Sequence, residues 1–147
     1  FGSPEDNWTV EDILDRLTTA SHREGQEGSF AQDAISLITK SCPMSLKVTL
    51  EAIKRARNMP SVKDCLEMDY RLAVRSTRRP DFYAGLKSAV VTKDKNPIWD
   101  PVTLADVTAE DVQNYFKPLS DINVSEIQLD RDSNSGNTSQ ATRQSRI

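Results

Sequence analysis

The sequence predicts an all-α protein of about six helices followed by a polar tail. Apolar residues recur at spacings of three and four, the period of a helix face, rather than in alternation. Ser or Thr stands three residues ahead of Asp or Gln just before several of those stripes, which is how a helix start satisfies its free N–H groups. Pro43, Pro60 and Pro80 fall at the boundaries between stripes, where a residue lacking an N–H either ends a helix or opens one. No convincing strand emerges. Residues 89–92 come nearest, and a helix C-terminus explains them equally well.

The first helix starts at Thr9, with Asp12 at its third helical position and Trp8 placed to staple onto Ile13. Val10, Ile13, Leu14 and Leu17 then share a face. After the polar loop SHREGQEG, Ser29 and Gln32 repeat the cap pattern, and Phe30, Ala34, Leu37 and Ile38 supply the second stripe. A third helix is expected from about 45 to 58, with Leu46, Leu50 and Ile53 inward. Ser61 and Asp64 start a fourth, where Val62, Cys65, Leu66, Met68 and Leu72 cover more than one face, the pattern of a helix buried on two sides. Pro80 opens a fifth. The sixth begins at Thr108, with Val107 and Val112 as a second staple, and directs Val112, Tyr115, Phe116 and Leu119 at a partner surface. Trp99 is expected to plug the space between the 93–96 turn and that last helix.

The folding unit is expected at residues 1–119. Residues 120–147 are expected to be disordered, because SNSGNTSQATRQSR has no aliphatic residue able to anchor it. A net charge of −3 argues against broad nucleic-acid binding. No apolar run approaches the ~20 residues of a membrane span. The basic runs KRAR (54–57) and RSTRR (75–79) read most simply as solvated helix faces. Cys42 and Cys65 lack a CxxC spacing and have a single histidine for company, so no metal site is expected. Both read as small reduced core residues. The chain begins at Phe1 rather than Met, the mark expected of a fragment or processed product.

Catalytic chemistry finds no constellation here. His22 lies in a polar loop without a neighbouring Cys or Ser, so a nucleophile–base pair is not formed in sequence. The acid pairs Glu11/Asp12 and Glu110/Asp111 sit in first helical turns, where capping and the helix dipole account for them. Asp69, on the most apolar helix, is expected to be buried and paired, with Arg71 as one possible partner. The five glycines are scattered and make no phosphate loop.

Motifs add what periodicity does not. CPMSLK (42–47) resembles the SPxSLK segment of 3-hydroxyisobutyryl-CoA hydrolases, a branch of the crotonase (enoyl-CoA hydratase/isomerase) superfamily. DCLEMDYRL (64–72) is similar to that family's ECLxxEYR helix, and Trp8 to Ile13 resembles its TVEEII helix. The stretch DFYAGLKSAVVTKDKNPIW (81–99) resembles its DFxEGvrAvlxDKdxxPxW signature through Asp81, Phe82, Gly85, Ala89, Lys93, Asp94, Pro97 and Trp99. Cys42 replaces the usual serine, Ala84 a glutamate, and Lys87-Ser88 stand where the family carries arginine.

The resemblance implies that residues 6–119 are the C-terminal helical part of a crotonase-type α/β spiral fold. The oxyanion hole and catalytic acids would then lie upstream, on the fold's own N-terminal core. It implies an acyl-CoA thioester as substrate and hydrolysis in valine breakdown. No separate cofactor is implied, since the CoA moiety belongs to the substrate. No catalytic residue falls on this chain. In related hydratases a lysine at the position of Lys93 reaches the nucleotide end of CoA, with an aromatic three positions earlier where Val90 stands here. Lys93 is therefore the one candidate binding residue. The alternative is a non-catalytic relative, such as a subunit of the mitochondrial ribosome. The family implies mitochondria; the terminal Ser145-Arg146-Ile147, which resembles a Ser-Lys-Leu address, makes peroxisomes the alternative.

Overall fold

A computed structural model describes residues 8–129, and among them there are helices and turns but no strand. The order is α1 (Val10–Ser21), α2 (Gln26–Lys40), α3 (Pro43–Ala56), α4 (Val62–Ser76), α5 (Pro80–Leu86) running into a π-helical segment (Lys87–Thr92), α6 (Ala109–Asn114) and a 3₁₀ turn (Leu119–Ile122). The tail beyond 129 and the terminal tripeptide lie outside the described residues.

The caps of α1 and α6 are those the sequence predicts. The Thr9 hydroxyl accepts the Asp12 N–H at 3.1 Å, and Asp12 accepts the Thr9 N–H at 2.8 Å. Thr108 and Asp111 repeat the arrangement at 3.1 and 3.0 Å. Ser61 accepts the Asp64 N–H and caps α4. Trp8 lies under Arg16, whose guanidinium carbon is 3.9 Å from the ring centre.

Helix α2 departs from expectation. It starts at Gln26 on Gly25, whose φ of 85° is the left-handed region open to glycine, and not at a Ser29 cap. Gln32 donates to the Ser21 carbonyl instead. The face α2 buries is the small one, Gly28 and Ala31. A Cβ at Gly28 would stand 1.9 Å from the Arg23 carbonyl oxygen, so α2 meets the end of α1 through bare backbone. Phe30 and Leu37 are consequently left outside, 69% and 70% exposed.

Helices α3, α4 and α6 make the core. Its buried residues are Cys42, Met44, Val48, Met68, Val107, Val112, Tyr115 and Phe116, with Ala52, Ala56, Leu72 and Trp99 packed against them. Helix α3 is rotated from the expected register: Met44, Val48, Ala52 and Ala56 repeat every four residues and face inward, while Ile53 is half exposed. Helix α4 buries one side only. Met68 and Leu72 face the core, whereas Val62 and Leu66 remain exposed.

The α6 expectation is overturned. Val112, Tyr115 and Phe116 are buried against this chain's own helices, and Leu119 is fully buried. A stripe at helical spacing shows that a face is covered without saying by what, and α3 and α4 cover this one. The exposed apolar face lies instead on α5 and the π segment, at Phe82, Tyr83, Leu86, Val90 and Val91. The described residues continue past the expected boundary at 119, through the 3₁₀ turn to residue 129.

Candidate functional site

The signature stretch comes together around α5. Asp81 is buried; its carboxylate accepts the Asp100 N–H at 2.7 Å and faces Arg79 at 3.4 Å. Arg79 also donates to the Asp100 carbonyl at 2.8 Å, so the two residues clamp the backbone at 100 from both of its polar groups. The Trp99 indole N–H donates to the Lys40 carbonyl at the end of α2, at 3.1 Å. The far edge of the ring lies 3.2 Å from where a Cβ on Gly85 would be. Trp99 thus joins the end of α2 to α5 and the core. It meets the core that holds Tyr115 and Phe116, as the sequence suggests, while its other contacts are α5 and the end of α2 and not the 93–96 turn. A side chain at 85 would crowd the ring, which lies close against the helix backbone there.

Lys93 and Lys95 protrude from a turn whose shape is set by their neighbours. Both have positive φ, 56° and 54°. The buried Ser88 hydroxyl donates to Asp94 at 2.5 Å, and Asp94 also accepts the Asn96 N–H at 3.1 Å. Those hydrogen bonds, Ser88's foremost, hold the Asp94 carboxyl below its ordinary range and keep it charged. Lys93 is exposed and has no bonding partner among the described residues. A cavity of about 260 Å³ adjoins the turn, walled by Ala84, Lys87, Ser88, Thr92 and Ile98 among others.

Two larger grooves meet at Tyr115. One, about 360 Å³, is walled by Cys42, Arg79, Asp81, Phe82, Leu86 and Trp99. The other, about 380 Å³, runs between α3 and α4 past Ala52, Cys65, Met68, Asp69 and Leu72. Ser45, Ser76 and Tyr115 line both. Burial pushes the Tyr115 hydroxyl up to about 12, so it stays a neutral donor and acceptor across the physiological range. Asp69 is exposed on this groove and not buried as expected, and Arg71 is engaged elsewhere, with Glu126.

The remaining perturbed acids are structural. The Thr9 and Thr108 caps hold Asp12 and Asp111 low, and Glu11 is held low first by its hydrogen bond from Lys47, 2.9 Å away. Acids kept ionised by caps are poor proton donors near neutral pH. His22 is exposed at the C-cap of α1. Among the described residues no three His, Cys, Asp or Glu side chains gather as a metal site.

The described residues are thus helical and carry the Asp81–Arg79 clamp on the backbone at 100, with Trp99 packed beside Gly85. The enoyl-CoA hydratase/isomerase family matches residues 3–116, and the chain belongs to that family. Its relatives narrow this further. It is 33% identical over 112 residues to the mitochondrial 3-hydroxyisobutyryl-CoA hydrolase of Dictyostelium discoideum, covering 76% of this chain and 28% of that protein. The Homo sapiens enzyme of the same name is 37% identical, with 76% and 27% covered. The small ribosomal subunit protein mS47 of Arabidopsis thaliana is 31% identical over 124 residues, with 82% and 30% covered. A carnitinyl-CoA dehydratase from Mycobacterium thermoresistibile has a similar structure, with TM-score 0.66 and 36% identity over 78% of this chain and 31% of that one. The chain spans less than a third of the length of each of these relatives.

Proposed function

We propose that the chain is the C-terminal helical part of a 3-hydroxyisobutyryl-CoA hydrolase. The whole protein would cleave an acyl-CoA thioester in valine breakdown, and its own N-terminal crotonase core would supply the oxyanion hole and catalytic acids. The observation that carries this is the run of relatives bearing that name at 33–38% identity along about the same length of this chain. The clamp of Asp81, Gly85 and Trp99 gives the shared signature a packing role. The apolar faces of α4 and α5 that this chain leaves open suit a layer laid over a larger core. Lys93 is the proposed contact for the CoA phosphates, a point charge held out on a fixed turn. The names of the relatives support a mitochondrial location.

Hydrolysis needs an oxyanion hole, an activated water and a pocket that orients both. The test is thiol release from 3-hydroxyisobutyryl-CoA, followed with a chromogenic reagent. The 147-residue chain alone should match the buffer rate, and the chain joined to the rest of its protein should turn over. The match to a ribosomal protein favours one other reading, a non-catalytic docking layer. Absence of turnover by the whole protein would decide for it.

A further inference from the structure

Arg71 and Arg75 on α4, with Arg78 just past its end, hold the chain that follows α6. Arg71 donates to the Phe116 carbonyl at 3.4 Å, Arg75 to the carbonyls of Lys117 and Pro118 at 3.0 and 2.7 Å, and Arg78 to that of Ile122 at 3.3 Å. Arg75 also meets Asp121 at 2.7 Å. Residues 117–129 therefore lie as a strap along α4, with Leu119 as their buried anchor. The family match ends at residue 116, so the strap lies beyond it.

Glu126 differs from every other contact in the strap because it bonds in two directions. Its Oε1 accepts the Leu119 N–H at 2.6 Å, closing the strap on itself across the turn that ends at Asn123. The same carboxylate takes Arg71 Nε at 3.2 and 3.3 Å and Arg71 Nη2 at 3.2 Å. A polar cavity of about 540 Å³ opens beside it, walled by Lys63, Glu67, Arg71, Gln128 and Leu129. The junction is thus open to solvent on one side while Leu119 is sealed on the other.

We infer that residues 117–129 are a strap with a single lock, the Glu126 carboxylate, and that removing the lock opens the strap as a unit while α1 and α2 stay folded. Opening bares Leu119 and takes the carbonyl partners from Arg71, Arg75 and Arg78. The contacts are unequal for a physical reason. A carboxylate held by both a backbone N–H and a forked guanidinium is charge-assisted twice, whereas Asp121 is exposed and serves Arg75 alone.

Hydrogen exchange read by mass spectrometry on the 147-residue chain tests this. Glu126→Ala should speed exchange in peptides covering the strap by about ten- to hundredfold, the factor expected for losing charge-assisted hydrogen bonds. Peptides from α1 and α2 should keep their protection. Glu126→Gln, which keeps the shape and loses the charge, should fall between wild type and Glu126→Ala. Asp121→Asn should change the strap by no more than about fivefold, as an exposed pair does. Unchanged strap exchange in Glu126→Ala would remove the lock. Loss of protection in α1 and α2 in step with the strap would show that the strap does not open separately. Equal opening by Asp121→Asn would show that the lock is not single.

Discussion

The contact between Trp99 and Gly85 makes a sharper prediction than either residue does alone. Removing the Trp99 side chain takes away a large ring packed on the core and on α5, together with an indole N–H bonded to the Lys40 carbonyl. Truncation of a buried Trp costs about 3–5 kcal/mol. Trp99 is half-buried, so the lower end applies, about 3 kcal/mol. Of this, roughly 1 kcal/mol belongs to the hydrogen bond, and Trp99→Phe should isolate that part. Gly85→Ala has two opposed effects. Alanine favours the helix by about 0.5–1 kcal/mol, but its Cβ would stand 3.2 Å from the indole, closer than comfortable contact. In the wild-type background the two effects should nearly cancel or leave a loss. In the Trp99→Ala background the crowding is gone and Gly85→Ala should stabilise by nearly the full helix increment. The double-mutant coupling is therefore expected near 1 kcal/mol. Urea unfolding followed by far-ultraviolet circular dichroism measures all four corners without relying on tryptophan emission. Additive effects within about 0.3 kcal/mol, or a Trp99→Ala variant as stable as wild type, would refute the packing described here.

Gly28→Ala should be among the most damaging small substitutions, costing more than about 2 kcal/mol, because the obstructing atom is the backbone carbonyl of Arg23; a melting temperature unchanged by it would sink the account of the α1–α2 junction. Acid should destabilise the fold in a defined direction. Glu11, Asp12, Asp94, Asp111 and Glu126 are all held below their usual carboxylate values of 3.8 or 4.5, so they contribute stability above those values and lose it as pH falls through their depressed folded ones. Thermal melts should thus drop steadily below about pH 4.5, whereas a melt insensitive to pH there would count against these bonds. In the whole protein, Lys93→Ala should raise KM for the CoA ester more than it lowers kcat, since the contact would lie far from the reacting carbonyl; steady-state kinetics showing an unchanged KM would remove Lys93 from the binding surface.

Local signals were legible where the physics is local. Thr9–Asp12, Ser61–Asp64 and Thr108–Asp111 each satisfy N–H groups within three residues, so three letters suffice to place a helix start. The start of α2 was not legible, because its determinant is a close approach of two backbones at Gly28 and not a side-chain cap. The faces of α2 and α3 were misjudged for a related reason. Periodicity names the apolar residues of a helix, but which stripe turns inward depends on the helix it meets. Large side chains at Ile53 and Phe30 were outbid by Ala52 and Ala31, whose small size lets helices approach.

The arginine runs show where local reading ends and long-range structure takes over. On a helical wheel RSTRR is a solvated patch, and its flexible charged side chains carry no marker of a partner. In the fold Arg75, Arg78 and Arg79 all reach backbone carbonyls, at positions 117, 118, 122 and 100. Arg55, from the KRAR run, stacks 3.8 Å over Phe116 while pairing with Glu51. Carbonyls carry no sequence signature, since every residue has one, so nothing at either end of these bonds announces the pairing. The feature that was available is Glu126: a charged residue in an otherwise weakly patterned segment, just before Ile127 and Leu129. An acid there, at the start of the last apolar residues before the polar tail, marks where the chain is still tied down. The Asp81–Arg79 clamp is read the same way. A motif acid beside an arginine invites a catalytic reading, yet both of its carboxylate oxygens are already committed, one to the Asp100 N–H and one to Arg79. A buried carboxylate bonded through both oxygens is fixed in place, and these two contacts tie the start of α5 to the backbone at 100, which is a structural role for Asp81.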